Sequence, residues 1–74
     1  MPPQRLTVLV NSAPVTLWQG AHVKDALVGA AGGRHLVRKV EAGTHVVLDE
    51  NVGAEVDLGG ALYAGQRLCV EARR

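Results

Sequence analysis

Leu6-Thr7-Val8-Leu9-Val10-Asn11-Ser12-Ala13-Pro14-Val15-Thr16-Leu17-Trp18-Gln19 is the stretch that decides the architecture. Leu6, Val8 and Val10, and then Val15 and Leu17, recur at every second position, the period of a strand with one buried face. Between them Asn11-Ser12-Ala13-Pro14 is turn chemistry: Asn tolerates left-handed backbone angles, and Pro fixes φ where no ladder donor is wanted. The two runs, 6–11 and 15–19, therefore form a hairpin, and Gly20 closes it.

Working outward, the period changes at Val23-Lys24-Asp25-Ala26-Leu27-Val28-Gly29-Ala30-Ala31. Positions 23, 26, 27 and 30 are apolar at helical spacing, with Lys24 and Asp25 outside. No Ser, Thr or Asp precedes this helix as a cap, and Gly32-Gly33 is read as its stop. Strand character returns over His35–Val40, breaks at Glu41-Ala42-Gly43 and resumes over His45–Leu48. A turn at Asp49–Gly53 leads to an alternating run over 54–58, and the chain closes with an alternating strand over Arg67–Glu71. Strands on both sides of one helix pack economically as a sheet curled over that helix. The first and last strands alternate most cleanly, so they belong side by side at the centre, and the helical crossover makes them parallel. The expected class is α+β: a mixed sheet of four or five strands on one helix, in the order β-β-α-β-β(-β), which is a β-grasp fold.

Composition bounds the rest. The chain has 74 residues and a formal charge of +1, enough for one domain over 1–74 and no bulk electrostatic case for nucleic acid or an anionic membrane. With no Phe and no Ile, its core must come from Val, Leu and Ala. A chain this short buries only ~60 % of its unfolded surface, so every apolar position matters. The single cysteine, Cys69, excludes an internal disulfide and any four-cysteine metal site. No apolar run approaches the ~20 residues that cross a bilayer, and no signal-peptide pattern opens the chain. A reducing, cytoplasmic setting is expected, with flexibility at 1–4 and 73–74.

Val8-Leu9-Val10-Asn11, a short turn, Val15-Thr16-Leu17 and Gly20 resemble the opening hairpin of the small sulfur-carrier proteins of thiamine and molybdopterin synthesis, members of the ubiquitin-like β-grasp superfamily. Val23-Lys24-Asp25-Ala26-Leu27 is similar to the first helix of that family, and Leu62-Tyr63-Ala64-Gly65-Gln66-Arg67-Leu68-Cys69-Val70 to its closing segment. The resemblance implies a β-grasp fold and admits a carrier or modifier role, in which a partner enzyme activates a bare Gly-Gly terminus. The chain departs from the family there: it ends Val70-Glu71-Ala72-Arg73-Arg74, and Gly32-Gly33 and Gly59-Gly60 are internal.

Candidate chemistry is sparse. Cys69 lies between inward Leu68 and Val70, so alternation points its thiol outward beside Arg67. Either it is a half-buried apolar residue, or Arg67 activates it as a nucleophile. His22, His35 and His45 lack metal-ligand spacing; only pairing of His35 with His45 across a hairpin, helped by Glu41 or Asp49, would gather ligands. Asp49, Glu50, Glu55 and Asp57 read as a solvated acidic turn.

The face left over once the core is assigned is the informative one. It carries Thr7, Leu9, Asn11, Thr16, Trp18, Arg67, Cys69 and Glu71, and either Val37, with Lys39 and His35, joins it from the next strand or Leu36 and Val40 set the opposite parity there. Trp18, Leu9, Cys69 and Val37 then make an apolar spot rimmed by Arg67 and Lys39, and ubiquitin-like domains commonly bind partners through this face. The expected function is a non-enzymatic protein-interaction module without cofactor or metal, its partner another protein or a second copy through the sheet face or edge. The other readings are the sulfur carrier, a small-ligand-binding β-grasp domain, and the first domain of a longer protein.

Overall fold

The computed structural model describes residues 4–73. The hairpin stands where alternation placed it: β1 (Arg5–Val10) pairs antiparallel with β2 (Ala13–Trp18), with Leu6 opposite Leu17 and Val8 opposite Val15. Asn11 and Ser12 turn the corner at φ 49° and 71°. The Asn11 side chain also accepts a hydrogen bond from the Val70 N–H at 3.0 Å, so the turn residue ties the hairpin to the last strand.

Helix α1 (Val23–Gly29) buries Val23, Ala26 and Leu27. Its unpaired first N–H groups find acceptors outside the helix: Val23 donates to the Gly60 carbonyl at 3.0 Å and Lys24 to Leu58 at 2.8 Å. The Asp25 carboxylate accepts the His22 N–H at 2.9 Å, the half of a capping box that needs no Ser or Thr.

The segment expected as a strand over 35–40 is a second helix, α2 (Gly33–Glu41). Gly32-Gly33 opens this helix and is not the stop of α1, which ends at Gly29. Gly32 sits at φ 69°, and Gly33 is packed so closely on α1 that a Cβ would collide with the Leu27 carbonyl. The physical reason lies in the spacing. Leu36, Val37 and Val40 fall at i, i+1 and i+4, one helical face, and Arg34, His35, Arg38 and Lys39 all fall on the exposed side. The β-branched content of the segment suggested a strand, but docking on α1 decided for the helical period.

Strands β3 (His45–Asp49), β4 (Ala54–Val56) and β5 (Arg67–Ala72) complete a five-stranded mixed sheet in the order β2-β1-β5-β3-β4. The parallel pairing of first and last strands occurs, Leu9 opposite Arg67 and Val10 opposite Leu68. β4 is shorter than the alternation over 54–58 implied. The sheet carries both helices on one face, and Val8, Val10, Val15, Val47 and Leu68 are sealed against Val23, Ala26, Leu27 and Val37. The class is thus α+β, with two helices in place of one. The expected flexibility at 1–3 and 74 lies outside the described residues. Gln4 and Arg73 are held: the Gln4 carbonyl accepts the Gln19 N–H at 2.7 Å, and Arg73 pairs with Glu55 at 3.3 Å.

Candidate functional site

The helix-free face of the sheet is built by the same alternation that seals the core. β1 turns Arg5, Thr7 and Leu9 to it, β2 adds Pro14, Thr16 and Trp18, and β5 adds Arg67, Cys69 and Glu71. β3 contributes Val46 and Leu48, which the sequence reading did not include. Leu48 lies opposite both Cys69 and Glu55, and Val46 opposite Glu71. Leu9, Val46, Leu48 and Cys69 are half-buried, an apolar tract across the three middle strands. Period-2 spacing in His45–Asp49 is the signal that could have placed Val46 and Leu48 on the face opposite to Val47.

Two of the expected members are elsewhere. Val37 is buried between the layers at 5 % exposure, and Lys39 stands on the exposed side of α2, because their segment is a helix on the other side of the sheet. Trp18 is on the open face and 53 % exposed, but it does not join the Leu9–Cys69 tract. Its cross-strand neighbour is Arg5, whose guanidinium stands 4.8 Å from the ring centroid, a cation–π contact. The next pair, Thr7 and Thr16, meets hydroxyl to hydroxyl at 3.0 Å and separates the indole from Leu9 and Pro14. The face therefore has an aromatic corner and an apolar centre with a polar bar between them.

Cys69 sits in that centre with its thiol pushed up by burial and by the charges of Glu71 and Glu50; its Sγ lies 3.7 Å from Glu71 Oε1. Arg67 is not among the groups that act on the thiol; its Nε donates to Asn51 Oδ1 at 2.8 Å. A thiol raised in this way is a poor nucleophile at neutral pH, and the half-buried apolar reading of Cys69 stands.

The acidic turn is exposed at Glu50, Glu55 and Asp57, as expected, but not at Asp49. Asp49 is 2 % exposed and faces the helical layer, at the inward parity of Val47 and His45. Tyr63 Oη donates to Asp49 Oδ2 at 2.6 Å, Gln66 Nε2 to the same oxygen at 3.1 Å, and the Asn51 N–H to Oδ1 at 2.9 Å. Burial alone would raise this carboxyl, but the bonds from Tyr63, Gln66 and the backbone of Asn51 and Val52 outweigh it and hold it below the usual carboxylate range. Tyr63 is raised in turn by donating to that carboxylate. A depressed carboxylate is a weak base and a raised phenol a weak acid. The cluster acts as a brace that fastens the 62–66 loop to the β3–β4 turn, with Asn51 Nδ2 adding a bond to the Gly65 carbonyl at 3.1 Å.

The histidines are dispersed. His35 is on α2, His45 opens β3 with Nδ1 2.9 Å from the Thr44 hydroxyl, and His22 precedes α1, so the hairpin that would have paired His35 with His45 does not form. Among the described residues no three His, Cys, Asp or Glu side chains gather as metal ligands. A cleft of about 270 Å³ lies at the sheet's end, lined by Gln4, Arg5, Leu6, Gln19, Leu62 and Tyr63, not between helix and loops. Among the described residues no helix is long and apolar enough to cross a membrane. Compared with protein families, curated proteins and solved structures, the chain matches none.

Proposed function

We propose that this chain is a β-grasp domain that docks another protein on the open face of its sheet and performs no chemistry of its own. The observation that supports this reading is the apolar tract of Leu9, Val46, Leu48 and Cys69, left without a covering layer while the opposite face is sealed. The central parallel pair and the helices confined to one face fit the β-grasp arrangement. The partner's chemistry follows from the rim. Glu50 and Glu71 act on the thiol and leave the Cys69 end of the tract acidic, while Glu55 is paired with Arg73 and Arg67 lies opposite Leu9. A complementary partner presents a large apolar side chain flanked by Lys or Arg. Trp18 with Arg5 supplies a second contact at the corner.

Selection from a displayed peptide library, followed by amide chemical-shift mapping, tests this. Enriched peptides should pair an apolar anchor with basic neighbours and shift the amides of Leu9, Leu48 and Cys69. Shifts confined to α2, or enrichment of acidic peptides, would overturn it.

A further inference from the structure

The outer edge of the sheet, β2, carries a donor and acceptor pattern that complements itself. Gln19 donates to Gln4 across the hairpin, and hydrogen-bonded pairs alternate along an antiparallel ladder. By the register of β1 and β2, the backbone groups of Leu17, Val15 and Ala13 turn toward β1, and those of Pro14, Thr16 and Trp18 turn away from the sheet. The same alternation holds on the far side of β1, where the Thr7 carbonyl and the Leu9 N–H turn to the 65–66 segment.

Two of the outward groups are poor partners for a new strand. Pro14 has no N–H, and the Trp18 carbonyl already accepts the Ala21 N–H at 3.1 Å. What remains, among the described residues, is the Pro14 carbonyl, both groups of Thr16, and the Trp18 N–H.

We propose that β2 pairs antiparallel with β2 of a second copy about a two-fold axis at Thr16, joining two five-stranded sheets into one of ten strands. In that register each Thr16 exchanges both bonds with the other Thr16, and each Trp18 N–H donates to the Pro14 carbonyl across the seam. The absent prolyl donor faces the carbonyl that is already engaged, so every outward group finds a partner. Moving the axis to Val15 sets a Thr16 carbonyl against the prolyl nitrogen; moving it to Leu17 sets a Thr16 N–H against the engaged Trp18 carbonyl. Of these three registers, only the Thr16 axis sets no acceptor against the prolyl nitrogen and asks no donor to share the engaged Trp18 carbonyl.

Side chains agree with the backbone. On the open face, the exposed Trp18 meets Pro14 across the seam; on the helical side, half-buried Leu17 meets Val15. A second copy is thereby favoured over an unrelated strand, since a partner strand of arbitrary sequence offers a donor where the Trp18 carbonyl is already engaged by Ala21. The seam shares Trp18 with the corner contact but not the Leu9–Leu48 tract, so amide shifts at Leu9, Leu48 and Cys69 report on peptide docking and crosslinking at position 16 reports on the seam.

Sedimentation over a wide concentration range should show a monomer–dimer equilibrium. Thr16→Pro removes a donor the monomer's own ladder does not use, and should weaken the dimer at least about tenfold while circular dichroism stays unchanged. In a Cys69→Ser background, Thr16→Cys should form an intermolecular disulfide on mild oxidation. Directly paired residues stand ~5.5 Å apart at Cα, within the span a disulfide accepts. Pro14→Cys, offset by four residues from its own copy, should not. A chain that stays monomeric at millimolar concentration, or Pro14→Cys crosslinking as fast as Thr16→Cys, overturns the proposal.

Discussion

The two faces of this sheet are made by the same strands and the same alternation, yet they have opposite fates. On one face Val8, Val10, Val47 and Leu68 lie at 1 % exposure or less beneath two helices. On the other, Leu9, Val46, Leu48 and Cys69 retain contact with solvent. Apolar content alone does not separate them. What does is the presence of a second layer on one side only, so the first face stabilises the fold and the second is free to be used.

The comparison is most directly broken at the sealed face. Leu68→Ala should cost ~2–5 kcal/mol in urea denaturation, a large part of the ~4–11 kcal/mol expected for a chain of this size. A cost below 1 kcal/mol would mean that the layer is not packed there. Gly33→Ala probes the second helix. The added methyl meets backbone at the α1–α2 junction and should cost ~1–3 kcal/mol, whereas an exposed helical glycine would gain from the change.

The brace gives a prediction in pH. Because Asp49 is held below its unfolded value, the native state binds fewer protons in acid. Its contribution is therefore complete above the ordinary carboxylate range and is lost as pH falls through that range toward the folded pKa. Asp49→Asn should cost ~1–3 kcal/mol at neutral pH and flatten the acid limb of the stability curve. An unchanged acid limb would place the carboxyl in solvent. The smallest expected effect is on the open face: Trp18→Ala should cost under ~1 kcal/mol, the cation–π contact being its main loss, while peptide capture weakens. Global unfolding by that change would show the indole to be core.

Legibility followed period. The hairpin, α1 and the central pairing of β1 with β5 were readable because Leu6–Val10, Val15–Leu17, Val23–Leu27 and Leu68–Val70 each fit one template. His35–Val40 fits two, since Leu36-Val37 with Val40 suits a helix face and Val-rich content suits a strand. With it went the placement of Val37 and Lys39. The brace was invisible for another reason. Tyr63 and Asp49 are 14 residues apart, and no local pattern announces that a turn carboxylate will meet a loop phenol.

The sequence by itself determined which side of each strand is apolar, since side-chain direction is a local property of extended backbone. Whether 33–41 coiled or extended, and that Asp49 lies inside, were decided only by tertiary packing. Each depends on contacts between residues far apart in the chain, and those contacts outweigh local preferences worth a fraction of a kcal/mol per residue.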